Sequence, residues 1–266
     1  MGTLHLVPVP IVPARGADAI EGSALRVLPP ATVEVARQTH YFLVENARSA
    51  RAFLKAVAHP EPVASLQIVE MGRQADPELI DRWLWPLRAP EGAAHTDAAL
   101  LSEAGCPGIA DPGAAVVARA HELGIRVIPW VGPSSILLAL MGSGMNGQQF
   151  RFLGYLPQGR EELGTRLRDI EHDAQLGETQ IFIETPYRNV RLFESILEVC
   201  DPSTRLGLAI ELTAIDQSVV TRTIGQWRTL GAKAAPTLER RTAVFLMHGS
   251  AGRSRPARAV RQRSRR

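Results

Sequence analysis

Short apolar runs alternate with stretches of helical period along almost the whole chain. That alternation constrains the fold more than any other feature of the sequence. Strand-like runs fall at Thr3–Val9, Tyr41–Val44, Ala98–Ser102, Arg126–Pro129, Phe150–Tyr155, Gln180–Ile183, Leu206–Ile210, Val219–Thr223 and Ala243–His248. Helical spacing fits Ala47–Val57, Pro77–Leu87, Ala114–Leu123, Pro133–Met141, Arg160–His172, Tyr187–Cys200 and Gly225–Leu230. Within 114–123, Val117, Ala120 and Leu123 share a face that excludes Arg119 and Glu122, and Gly124 supplies a stop. Such alternation predicts a layered α/β fold. Its character changes near Gly144–Gln149: the closely spaced runs at 206–210, 219–223 and 243–248 predict a second sheet with antiparallel members. Two α/β domains are therefore expected, 1–145 and 146–251, with a ligand cleft between them.

Composition enters through what it excludes. With 45% hydrophobic and 21% charged residues, the chain is neither disordered, collagen-like nor a membrane bundle. The charge-free stretch Val127–Phe150 is broken by prolines and glycines, and its longest apolar run is Ile136–Met141. A spanning helix needs about 20 apolar residues. The net charge of +3 hides a division: seven of the 30 basic residues are arginines within 252–266, a segment without acids. What precedes it holds 23 basic against 27 acidic residues. The arginine tail is either a disordered terminus or a phosphate-binding arm. Cys106 and Cys200 fit neither a disulfide framework nor a metal site, and the N-terminus lacks an export pattern, so a cytoplasmic location is expected.

The densest punctuation is SEAGCPGIADPG, Ser102–Gly113, after a strand and before a helix. Glycines there let a ligand approach the backbone, and the loop feeds a helix N-terminus. The same letters also suit an ordinary connection, with Asp111 capping the helix and Pro112 at its first position. VGPSS, Val131–Ser135, is a second strand-to-helix turn whose serines suit capping or ligand contact. Glu184 in ETPYR and Glu211 in ELT stand at strand ends, which line ligand crevices in α/β sheets or lie in solvated loops. Gly142-x-Gly144-x-x-Gly147 matches a dinucleotide fingerprint by letter, but it follows a helix and precedes a strand. It reads as a helix stop and hinge. The seven histidines form no helical metal pair, and no Gly-x-Ser-x-Gly turn occurs, so neither zinc nor serine-hydrolase chemistry is supported.

In order, these pieces resemble the tetrapyrrole methylase family of S-adenosylmethionine-dependent methyltransferases. The likeness is closest to the branch that methylates a cytidine ribose 2′-hydroxyl in small-subunit ribosomal RNA. It is carried by Gly2–Ile11, Tyr41–Leu54, Phe150–Pro157, Ile181–Asn189, Leu208–Thr213 and Ala243–Gly249, and most densely by Ala99–Met145. The resemblance implies two α/β domains with S-adenosyl-L-methionine in the cleft between them, and a homodimer. It implies cofactor contacts from Pro10, Ser102, Glu103, Ala104, Gly105, Ile109, Ala110, Asp111, Pro133, Ser134 and Ser135 in the first domain. From the second it implies Tyr155, Leu156, Glu184, Thr185, Glu211, Leu212 and Thr213. Glu45 and Arg48 are the candidates for base and orienting cation.

Substrate-side motifs depart further from the family than cofactor-side ones. A-T-P-I-G-N after the first strand is PVPIVP here, with a later glycine-aspartate pair echoed by Gly16–Asp18. E-D-T-R is Glu45-Asn46-Ala47-Arg48, the aspartate of D-A-G is Glu103, and a histidine-rich segment near 67–73 is QIVEMGR. The expected function is methyl transfer to ribosomal or related RNA. Three alternatives remain open: a tetrapyrrole or corrinoid acceptor, a protein acceptor as in the related diphthamide pathway, or cofactor binding without catalysis.

Overall fold

A computed structural model describes residues 1–11, 26–72, 76–88, 96–230 and 237–249. The arginine tail and Gly16–Asp18 lie outside the described residues. The chain divides into two compact units, Met1–Ser135 with Thr213–Asp216, and Ile136–Leu212 with the chain from Gln217 onward.

The first unit contains β1 (Thr3–Leu6), α1 (Pro30–Gln38), β2 (Tyr41–Val44), α2 (Ala47–Ala56), β3 (Gln67–Glu70), α3 (Pro77–Leu84), β4 (Ala98–Leu101), α4 (Gly113–Glu122) and β5 (Arg126–Pro129). Its strands form one parallel sheet in the order β3-β2-β4-β1-β5. Every residue of β2 and β4 is buried, which explains why both read as unbroken apolar runs. Their side chains divide by parity. Phe42, Val44, Ala99 and Leu101 pack with Val33 and Ala36 of α1 and with Phe53 and Leu54 of α2. Tyr41, Leu43, Ala98 and Leu100 pack with Ile80 and Leu84 of α3 and with Val116 and Ala120 of α4. Helices thus cover both faces.

Several boundaries differ from the sequence reading. β1 ends at Leu6 and not at Val9, because Pro8 has no N–H for the ladder. The chain beyond stays close: Val7 N–H donates to Leu100 O at 3.0 Å, and Val9 forms an isolated bridge with Gly105. α3 tightens into a 3-10 turn at Trp85–Arg88, where Pro86 interrupts the helical pattern. Two elements have no counterpart in the sequence reading. In α1, Pro29 and Pro30 look like a turn but place a proline at the first helical position. The polar edge strand β3 has both end residues exposed and so lacks an apolar run.

The second unit contains α5 (Ser135–Ser143), β6 (Phe150–Tyr155), α6 (Arg160–Gln175), β7 (Thr179–Ile183), α7 (Asn189–Val199), β8 (Arg205–Ile210), β9 (Ser218–Thr223), α8 (Ile224–Leu230) and β10 (Ala243–His248). The sheet order is β6-β7-β10-β8-β9; β6 and β7 are parallel and the other pairings antiparallel, so this is the expected mixed sheet. On one face Phe182, Leu206, Leu208, Phe245 and Met247 meet α6, α7 and α8. On the other, Ile181, Ala209, Val244 and Leu246 meet Ile136, Ala139 and Leu140 of α5. That packing explains why the division falls at Ser135, ahead of the glycine-rich stretch. Gly144, at a left-handed φ of 64°, stops α5 as expected of it.

Candidate functional site

β1, β2, β4 and β5 of the first unit are parallel, so their carboxyl ends share one edge of the sheet. Polar groups on the loops leaving that edge are the ligand-facing groups of such sheets. The loop after β4 dominates it. Gly105, Gly108 and Ala110 adopt positive φ of 75°, 80° and 63°, which folds Ser102–Gly113 back on itself. Glycine takes that conformation without strain; Ala110 does so at a cost.

The loop is fastened at successive points. The buried Ser102 hydroxyl donates to Gly105 O at 3.0 Å. Gly105 and Val9 exchange backbone bonds of 2.9 and 3.2 Å, tying the β4 loop to the β1 loop just before the buried Pro10. Cys106 Sγ donates to Pro133 O at 3.4 Å, reaching the β5 loop. Asp111 Oδ1 accepts from Gly108 N–H at 2.9 Å and Gly113 N–H at 2.7 Å. Asp111 therefore holds the loop and the first helical amide together, while Pro112 takes the N-cap position expected for Asp111. Burial pushes the Asp111 carboxyl up, the Gly113 and Gly108 amides pull it down, and the Glu45 charge pushes it up again; the net direction is upward. Burial likewise raises the Cys106 thiol, with the Asp111 charge adding to it.

Closeness at this edge requires glycine at one further position, within the Val131–Ser135 turn. A Cβ on Gly132 would stand 2.2 Å from Pro8 Cβ, so the β1 and β5 loops touch only because residue 132 lacks one. Thr32 of α1 braces the same loop, its hydroxyl donating to Val131 O at 2.7 Å. Ser134 is buried, and Ser135 opens α5, whose start lies two residues later than expected. Among the described residues, the amide of Ala110 donates to no protein group, and Ile109 and Ala110 are both exposed. Glu103 and Ala104 expose their side chains beside them.

Glu45 and Arg48, the expected base and orienting cation, stand in different surroundings. Glu45 Oε2 accepts from Glu103 N–H at 2.8 Å, and Glu45 N–H donates to Leu101 O at 3.1 Å. Arg48 is exposed on the first turn of α2, where Asn46 caps the helix by accepting from Arg48 N–H and Ser49 N–H. Asparagine at the position where the family motif has aspartate thus serves the helix itself.

In the second unit β6, β7 and β8 run in one direction, so Tyr155, Glu184 and Glu211 leave the same sheet edge. Tyr155 is 60% exposed, while Leu156 and Leu212 are buried. Neither glutamate lies in a solvated loop. The Glu184 side chain is 7% exposed, and its Oε1 accepts from Thr185 N–H at 2.6 Å and Arg188 Nη2 at 2.6 Å. Glu211, at a φ of 49°, accepts from Thr242 N–H at 2.6 Å. Thr213 is also left-handed, with φ 72°.

No family model matches the chain. It is 29% identical over 228 residues to the ribosomal RNA small subunit methyltransferase I of Xylella fastidiosa, covering 86% of this chain and 75% of that protein. The Pseudomonas aeruginosa protein of the same name is 30% identical over 218 residues, 82% of this chain and 69% of its own length. The chain belongs to the tetrapyrrole methylase family, with these methyltransferases. Solved structures agree on the methylase fold: CobJ superimposes with a TM-score of 0.56 at 17% identity, over 94% of this chain and 95% of its own. The cobalt precorrin-4 methyltransferase CbiF gives 0.52 at 13% identity, over 92% and 94%. This methylase is therefore an S-adenosylmethionine-dependent enzyme.

Proposed function

We propose that this methylase transfers a methyl group from S-adenosyl-L-methionine to a ribose 2′-hydroxyl of small-subunit ribosomal RNA. The observation that carries the reading is the β4 loop, fastened by Ser102, Cys106 and Asp111 while the exposed Ala110 amide stays unpaired. The RNA acceptor is supported by the activity for which the relatives are named, since they match most of this chain. We assign cofactor contact in the first unit to Pro10, Ser102–Gly105, Ile109–Asp111 and Pro133–Ser135. In the second we assign it to Tyr155, Leu156, Glu184, Thr185 and Glu211–Thr213.

The bound cofactor supplies a methyl group already activated on a sulfonium. The protein's share is placement and exclusion of water, worth up to about 7–11 kcal/mol when reacting atoms are held in line. The free amide of Ala110 would hold the nucleoside, and Ile109 would cover an apolar face. Arg48, exposed on α2, suits a phosphate of the incoming RNA. We place the reaction in the cytoplasm, in a homodimer; among the described residues no helix is long and apolar enough to cross a membrane.

Isothermal titration with S-adenosylmethionine, followed by labelled-methyl transfer to small ribosomal subunits from cells lacking this protein, tests the proposal. Binding with transfer to a ribose is the expected result. Absence of binding overturns the enzyme reading, and transfer only to a tetrapyrrole or protein overturns the acceptor.

A further inference from the structure

We propose that Glu45 is a positioning residue for the β4 loop and does not take the proton of the methyl acceptor. Its carboxylate accepts the Glu103 amide across 58 residues of sequence, and its own amide is bonded to the last residue of β4. Residue 45 is thereby attached to β4 and its loop through both backbone and side chain. Asp111 performs the complementary task at the far end, on the Gly108 and Gly113 amides. Two carboxylates thus bracket Ser102–Gly113, and between them lies the unpaired amide of Ala110.

A base must bind a proton during each turnover. Protonation of Glu45 would replace its charge-assisted bond to the Glu103 amide with a weaker neutral one, loosening the hold on the loop at the moment of reaction. A fixed acceptor is the opposite requirement. The two roles predict different losses. A positioning residue acts through the geometry of the cofactor loop, so its removal appears in cofactor affinity; a base acts on the chemical step. An uncharged side chain that keeps an acceptor oxygen preserves the first role and not the second.

This assignment rests on the β4 loop being the cofactor loop, which wild-type titration with S-adenosylmethionine tests separately. Glu45→Ala and Glu45→Gln are compared with wild type by that titration and by steady-state methylation of small subunits over a range of cofactor concentrations reaching saturation. Glu45→Ala should raise the cofactor Kd and KM about tenfold, the size of one lost hydrogen bond to a charged group. Glu45→Gln should return both to within about threefold of wild type, keeping its acceptor. Matching far-ultraviolet circular dichroism secures the comparison, and Glu45→Gln, which alters no volume, stands by itself if Glu45→Ala fails to fold. A kcat that falls alike in both variants with Kd unchanged overturns the proposal in favour of a base. Unchanged Kd and kcat in both also overturn it. No cofactor binding by the wild type instead removes the reading on which it rests.

Discussion

Asp111 is the residue where burial and local hydrogen bonding meet in the β4 loop. Its carboxyl lies above the ordinary value because burial outweighs the two amides it accepts. A carboxyl raised in the folded state binds its proton more readily there than in the unfolded chain. Its stabilising contribution is therefore complete below the ordinary value near about 3.9 and is lost as pH rises through the raised value. Asp111→Asn should remove that part of the decline. The melting temperature of the variant relative to wild type should climb as pH rises from about 4 upward. Melting curves across that range check it, and a difference that does not vary with pH would contradict the burial argument. The letters of the sequence allowed a helix cap or a ligand contact at Asp111. They could not show that its partners are Gly108 and Gly113, because those bonds depend on three left-handed residues in one loop.

At the scale of elements, β10 organises the second unit. It is the central strand, pairing antiparallel with β7 and β8, and all its residues from Ala243 to Met247 are buried. Phe245 stacks on Phe182 with centroids 5.7 Å apart and faces the side covered by α6, α7 and α8. Phe245→Ala should cost about 3–5 kcal/mol, since the pocket it leaves is walled by a sheet and helices that cannot collapse into it. Chemical denaturation measures this, and a cost of about 1 kcal/mol or less would mean the site closes after all. Nearly every strand and helix was legible from period and punctuation. The exceptions have separate causes: α1 begins with two prolines that look like a turn, and β3 is a polar edge without an apolar run.

For the whole molecule, charge separates two questions that family membership joins. The chain before residue 252 carries more acidic than basic residues, which disfavours a polyanion, while seven arginines follow. If the tail neutralises RNA phosphates, removing residues 252–266 should weaken RNA binding and flatten its salt dependence. The logarithmic slope should fall by about 0.7–0.9 for each phosphate no longer neutralised. Filter binding over a salt series reads both, and an unchanged slope assigns RNA binding to the body. Cofactor affinity should not move, because the proposed cofactor residues all precede the tail.

By itself the sequence determined the α/β class, the change from a parallel to a mixed sheet, the family, and the punctuated loop after β4. Each of these is written in local period, composition or contiguous motif. Tertiary structure alone decided that Glu45 holds Glu103, that Glu211 holds Thr242, and that Gly132 must clear Pro8. Those pairs lie far apart along the chain and meet only through strand order and register. A hydrogen bond or a steric contact is a statement about position in space, and no spacing in the sequence contains it.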